Sequence, residues 1–115
     1  MTRLVLRGAR WPGDVAVTDG RIAAVGSVAE EPGDEVLRVD GDLVTAGLVN
    51  THHHFFQWMT RGWAFDCTLF DWLTTLYPVW ARLTPEDVEA AAAVAMGELA
   101  LTGCTTAADH HYLVP

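Results

Sequence analysis

The sequence predicts an α/β fold in which short β-strands joined by tight turns lead into a strand–helix–strand unit with parallel strands. Three observations predict it. Apolar and polar positions alternate in short runs over the first forty-odd residues, turn dipeptides separate those runs, and one capped stretch with helical spacing lies between two later apolar segments.

Arg3 to Arg10 and Asp14 to Thr18 alternate as strands and are joined through Trp11-Pro12-Gly13. Asp19-Gly20 is a hairpin turn leading into Arg21-Ile22-Ala23-Ala24-Val25. Glu30-Glu31-Pro32-Gly33-Asp34 reads as a loop and Glu35 to Val39 as another strand. Asp40-Gly41-Asp42 is a tight turn before Leu43-Val44-Thr45. These strands read as a meander that forms part of a small β-sandwich subdomain, residues 1–46, with a structural role and no chemistry.

Residues 47–115 read as the second unit. The apolar run Gly47-Leu48-Val49-Asn50-Thr51 ends in His52-His53-His54, three of the five histidines. Phe55 to Trp80 is rich in aromatics with weak periodicity, holding Trp58, Trp63, Phe65, Phe70, Trp72, Tyr77 and Trp80, and reads as a long loop after a strand. Thr84-Pro85-Glu86-Asp87 supplies an N-cap, a first-turn proline and first-turn acids, and Gly103 supplies the stop. Between them Val88, Ala91, Ala92, Ala95 and Leu99 recur at helical spacing, and Cys104 to Asp109 reads as a buried strand. A strand–helix–strand connection of this kind is right-handed with parallel strands.

Fifteen Asp and Glu stand against seven Arg and no Lys, a net charge of −8. That balance lacks the basic footprint of a nucleic-acid binder and reads as solubility. Half the residues are hydrophobic, too many for a disordered chain. No run approaches the roughly 20 apolar residues of a membrane span. Met1 to Arg7 is too short and too alternating for a signal peptide, so the cytoplasm is the expected compartment. Cys67 and Cys104 form no C-x-x-C and read as free thiols, Cys104 as packing in its strand.

The histidines carry the chemistry. On a strand, His52 and His54 project to the same face, with backbones roughly 6–7 Å apart, while His53 faces the opposite way. A bare H-x-H serves equally as a metal-ligand pair or as a polar loop; its surroundings decide. Asn50-Thr51-His52-His53-His54 resembles the N-T-H-x-H signature of the amidohydrolase superfamily. Gly47 through Gln57 looks like that superfamily's purine and triazine deaminase branch, within which the likeness is to the 8-oxoguanine deaminase and hydroxyatrazine-type aminohydrolase group. Gly103-Cys104-Thr105-Thr106-Ala107-Ala108-Asp109-His110-His111-Tyr112 resembles the second barrel strand of that branch. Ala46 stands where the family usually has Pro, a change in the turn that leaves the histidines alone.

The resemblance implies a (β/α)8 TIM-type barrel preceded by the strands of a small β-sandwich. Such a barrel needs about 250 residues, so the chain is expected to be the N-terminal part of one. It further implies that His52 and His54 hold one divalent metal ion, zinc first and iron as the alternative, since neutral imidazole suits Zn²⁺. The remaining ligands and the acid/base Glu are expected beyond Pro115, with no catalytic residue inside residues 1–115 and no turnover from them alone. Gln57, with both a donor and an acceptor on its amide, is the expected base-binding group, Trp58 and Trp63 are the expected pocket walls, and His111 is the expected substrate-orienting residue. Asp109 is expected to partner backbone or loop groups, and Arg61 to pair with Asp66 or Asp71. The implied substrate is a small heterocyclic, purine-like base, 8-oxoguanine or guanine. The alternatives are a triazine-type aminohydrolase or chlorohydrolase, or an inactive metal-binding fragment. A homo-oligomer is expected for the full-length parent.

Overall fold

Asp19 and Gly20 both adopt positive φ, 53° and 72°, the geometry a two-residue hairpin requires and the reason the second position is glycine. In the computed structural model, which describes residues 3–113, this turn joins β2 (Asp14–Thr18) to β3 (Arg21–Gly26). β1 (Leu4–Arg7) pairs antiparallel with β2 in the register Leu4 to Val17 and Leu6 to Val15.

The chain then departs from the expected meander. β4 (Glu35–Arg38) returns to the far side of β1 and pairs with it in parallel, giving the order β3-β2-β1-β4. The connecting segment explains why. Val28 buries its side chain against Val5 and Ala16 to form this unit's core. Arg7 donates to the Val28 carbonyl at 2.9 Å and Arg3 donates to the Ala29 carbonyl at 2.5 Å, so the chain crosses the sheet and emerges beside β1. No local pattern in the sequence marks that crossing. Leu43-Val44-Thr45 forms no strand; Leu43 makes a single bridge with Trp11, because only the Val44 amide reaches a partner, the Trp11 carbonyl at 2.9 Å.

Asp14 holds this arrangement at one point. Its carboxylate accepts from the Gly8 amide at 2.9 Å, from Arg7 Nη1 at 2.7 Å and from the Val28 amide at 3.4 Å, tying β1, β2 and the crossing loop together. The Gly8 hydrogen bond, followed by those from Val28 and Arg7, holds its pKa below the ordinary carboxylate value against the opposing effect of burial.

The described residues divide into two compact units on either side of the Ala46–Gly47 bond. In the second, β5 (Leu48–His53) and β6 (Cys104–Asp109) pair in parallel, with Leu48 opposite Cys104 and His53 opposite Asp109. Gly47 is required where β5 begins, because a Cβ there would fall inside the Thr105 side chain. Between the strands lie a 3-10 helix (Phe55–Thr60), α1 (Leu69–Trp80) and α2 (Pro85–Leu101). α2 starts as expected: the Asp87 amide donates to Thr84 Oγ1 and the Thr84 amide to the Asp87 carboxylate. Its Ala91 and Ala95 are buried where the helix packs on the 3-10 turn and β6.

Two expectations are corrected. The stretch read as one long loop contains both the 3-10 turn and α1. Thr68 caps α1 by accepting from the Asp71 amide at 3.3 Å, and Pro78, two residues before the helix ends, donates no hydrogen bond to the Thr74 carbonyl one turn back. β6, expected to be buried, is largely exposed, since among the described residues β5 pairs along one edge and α2 is the one helix packed against it. Phe56, Leu76 and Trp80 form the second unit's core, and Trp80 Nε1 donates to the buried Thr60 hydroxyl at 2.9 Å, locking the 3-10 turn to α1.

Two outcomes follow from these contacts. Asp14→Asn lowers the thermal midpoint near neutral pH. Because the folded-state pKa is depressed, the wild-type contribution is present above the unfolded value and is lost as pH falls through the folded one. The midpoint difference between wild type and Asp14→Asn therefore shrinks in acid; a pH-independent difference would contradict the assignment. Thr60→Val leaves the buried Trp80 N–H unpaired and costs about 1–3 kcal/mol in denaturant unfolding; an unchanged midpoint would remove that hydrogen bond from the account.

Candidate functional site

Parallel pairing sets the C-terminal ends of β5 and β6 side by side, and the His110 backbone joins them. Its amide donates to the His53 carbonyl at 2.6 Å. Its carbonyl lies 2.8 Å from His54 Nδ1. A carbonyl only accepts, so Nδ1 carries the proton, and in the neutral tautomer this selects, Nε2 is the nitrogen left to accept or to coordinate.

That Nε2 lies 3.0 Å from His52 Nε2, the two rings edge-on with centroids 4.8 Å apart. The His110 ring stands over both, 5.4 Å from His52 and 5.2 Å from His54. Three imidazoles thus meet at the strand ends. Two nitrogens sharing a tetrahedral zinc at about 2.0–2.1 Å would sit roughly 3.3–3.4 Å apart, so the His52–His54 pair is close to the spacing a shared divalent ion needs. The donor chemistry fits as well: two imidazole nitrogens face each other, and the far nitrogen of one ring donates to a backbone carbonyl, as in metal-bound histidines. Among the described residues no set of three or more His, Cys, Asp or Glu is arranged to hold a metal ion, so the pair accounts for only part of the roughly three protein ligands of a catalytic zinc.

Beside the pair opens a hollow of about 380 Å³ walled by the three consecutive histidines, Gln57, Trp58, Thr60, Arg61, Gly62 and Trp72. His53, expected to face away, borders it too while packing edge-on against Phe55 at 4.8 Å. The β5–β6 register shifts between Asn50 and His53, which ends strict alternation there. Gln57 donates from Nε2 to the Tyr112 hydroxyl at 3.2 Å. Arg61 does not pair with Asp66 or Asp71. Its guanidinium lies 4.3 Å over the Trp58 ring and bonds Glu98 of α2 at 2.8 Å, because the 3-10 turn packs on α2.

The expected site residues therefore separate. His52, His54, Gln57 and Trp58 gather around one hollow. Trp63 lies outside that lining and is 57% exposed. His111 stands over Phe56 at 5.9 Å and lines a different hollow with Trp80 and Tyr112. Asp109 accepts from the Phe55 amide at 2.9 Å, a backbone partner. Sequence reasoning put His110 and His111 together at the strand end but chose His111 for the site, and it missed the positions of Tyr112 and Trp72. His110 and Tyr112 had a signal, their place directly after a strand whose C-terminal end adjoins the histidines.

Residues 43–114 match the model of the amidohydrolase family. The chain belongs to that family. It is 53% identical to 8-oxoguanine deaminase of Pseudomonas aeruginosa, over 90% of this chain and 24% of that protein. It is 40% identical to hydroxydechloroatrazine ethylaminohydrolase of Pseudomonas sp. strain ADP, over 86% of the chain and 24% of that protein. The crystal structure of an amidohydrolase from a Sargasso Sea environmental sample superposes with a TM-score of 0.78 at 26% identity, covering 97% of this chain and 27% of that one. The chain thus spans about a quarter of the length of these relatives. Members of the family generally bind a divalent metal.

In 15N NMR of the complete gene product, His54 is expected as the Nδ1-protonated tautomer at neutral pH. An Nε2-protonated His54 would contradict the hydrogen bond to His110.

Proposed function

We propose that this chain forms the leading sheet and first two barrel strands of a cytoplasmic, metal-dependent hydrolase that deaminates a purine-like base, 8-oxoguanine or guanine. The observation that carries the reading is the convergence of His52 and His54 at the end of β5, directly beside the hollow that Gln57 and Trp58 line. The 53% identity to an 8-oxoguanine deaminase supports the substrate. Similarity to the hydroxydechloroatrazine enzyme keeps a triazine as the second reading.

In this reading His52 and His54 hold a divalent ion, zinc in first place, with further ligands and the acid/base Glu supplied by later barrel strands. When bound, the ion supplies Lewis-acid activation of water near neutral pH. The chain's own residues do the rest. The His110 carbonyl keeps the proton on His54 Nδ1 and so keeps its Nε2 available. Gln57 grips the heterocycle edge with donor and acceptor, and the Trp58 face, backed by Arg61, offers a flat wall to a planar base. The parent is proposed to act as a homo-oligomer.

The test is ultraviolet-monitored turnover of 8-oxoguanine, guanine and hydroxyatrazine by the metal-loaded complete gene product. Turnover of a purine is expected, with His52→Ala and His54→Ala each losing bound metal and more than about 10²-fold in kcat/KM, and no turnover from residues 1–115 alone. Activity on none of the three would overturn the purine assignment.

A further inference from the structure

Gln57 reaches across 55 residues of sequence to the Tyr112 hydroxyl at 3.2 Å, and among the described residues this is its only side-chain hydrogen bond. The phenol it reaches has a determined position. Three rings meet Tyr112 edge-on: Phe56 at 5.0 Å, His54 at 5.5 Å and His110 at 6.0 Å. Phe56 is fully buried in the core of this unit. Tyr112 is thereby referenced both to the core and to the imidazole cluster, and Gln57 is referenced to Tyr112. A glutamine on a surface turn is otherwise free about its side-chain bonds, and ordering it only when ligand arrives would weaken binding.

A primary amide has two N–H groups on one nitrogen. If one is committed to Tyr112, the other remains beside Oε1, and the amide presents an adjacent donor and acceptor. We propose that Tyr112 is a positioning residue that fixes the Gln57 amide for a heterocycle edge carrying a complementary pair, such as a ring N–H next to a C=O. This rests on the reading of Gln57 as the base-binding group. Tyr112 acts through Gln57 and touches no reacting atom. Methylating that ring nitrogen removes the donor the amide oxygen answers, so discrimination against the methylated base depends on the phenol.

Tyr112→Phe in the complete gene product keeps the ring stack and removes only the hydroxyl. KM for the base is expected to rise about three- to tenfold, the size of one partly solvated hydrogen bond, with kcat changed less than about twofold. Preference for the unmethylated over the N-methylated base should fall by a similar factor. Adding Tyr112→Phe to Gln57→Ala should cost nothing further, because the two residues act as one unit. Independently of turnover, the side-chain amide 15N resonance of Gln57 in ligand-free protein should move in Tyr112→Phe toward that of a solvated glutamine. An unmoved resonance, an unchanged KM, or additive effects of the two substitutions would each overturn the role of Tyr112. Should the wild type turn over no base at all, the functional reading fails instead, while the Gln57 resonance still decides whether Tyr112 holds the amide.

Discussion

The His110 backbone is held from both sides by the end of β5 and the residue after it: its amide donates to the His53 carbonyl and its carbonyl accepts from His54 Nδ1–H. Much of the site depends on that double contact. The first bond fixes how far the end of β6 lies from the end of β5. The second converts that spacing into chemistry, because a histidine whose Nδ1 is committed has only Nε2 to offer. His52 meets His54 at 3.0 Å on the exposed side of the same strand end, so backbone pairing sets the position of the pair and the tautomer of His54.

The rest of the second unit keeps those strand ends in place. Trp80 and Thr60 join α1 to the 3-10 turn through a buried hydrogen bond. Phe56 stands between the core and the site, edge-on to Trp80 at 5.4 Å on one side and to Tyr112 on the other. Gln57 and Trp58 follow it on the same short turn, so the hollow's walls are set by core packing and not by free loop conformations. Gly47 lets β5 begin close against Thr105, an approach any side chain would prevent. The first unit is built differently, around the Asp14 carboxylate, which collects two backbone amides and one guanidinium.

Local signals were legible where a few neighbouring residues settle the matter. Asp19-Gly20 announced its hairpin because both positions need positive φ. Thr84 and Asp87 announced α2 because the capping box is contained in four residues. His52 and His54 announced themselves through alternation. What stayed hidden depends on distant partners. The return of β4 to β1 follows from Val28 finding Val5 and Ala16, contacts between residues far apart in sequence. α1 was concealed by Pro78 inside it and by its place in a long aromatic-rich stretch, although Thr68 and Asp71 carry its cap. The apolar character of β6 describes a strand suited to burial, whereas its surroundings among the described residues cover little of it. His111 was favoured over His110 because strand alternation alone does not say which backbone group the neighbouring strand will bind.

The central claim, that the two strand-end imidazoles of β5 share one divalent ion in a hydrolase of the amidohydrolase family, is most directly tested by anomalous diffraction at the zinc edge from crystals of the zinc-loaded complete gene product. A single strong peak within bonding distance of Nε2 of both His52 and His54 is the predicted result. A peak bound elsewhere, with those two nitrogens still hydrogen-bonded to each other, would contradict it.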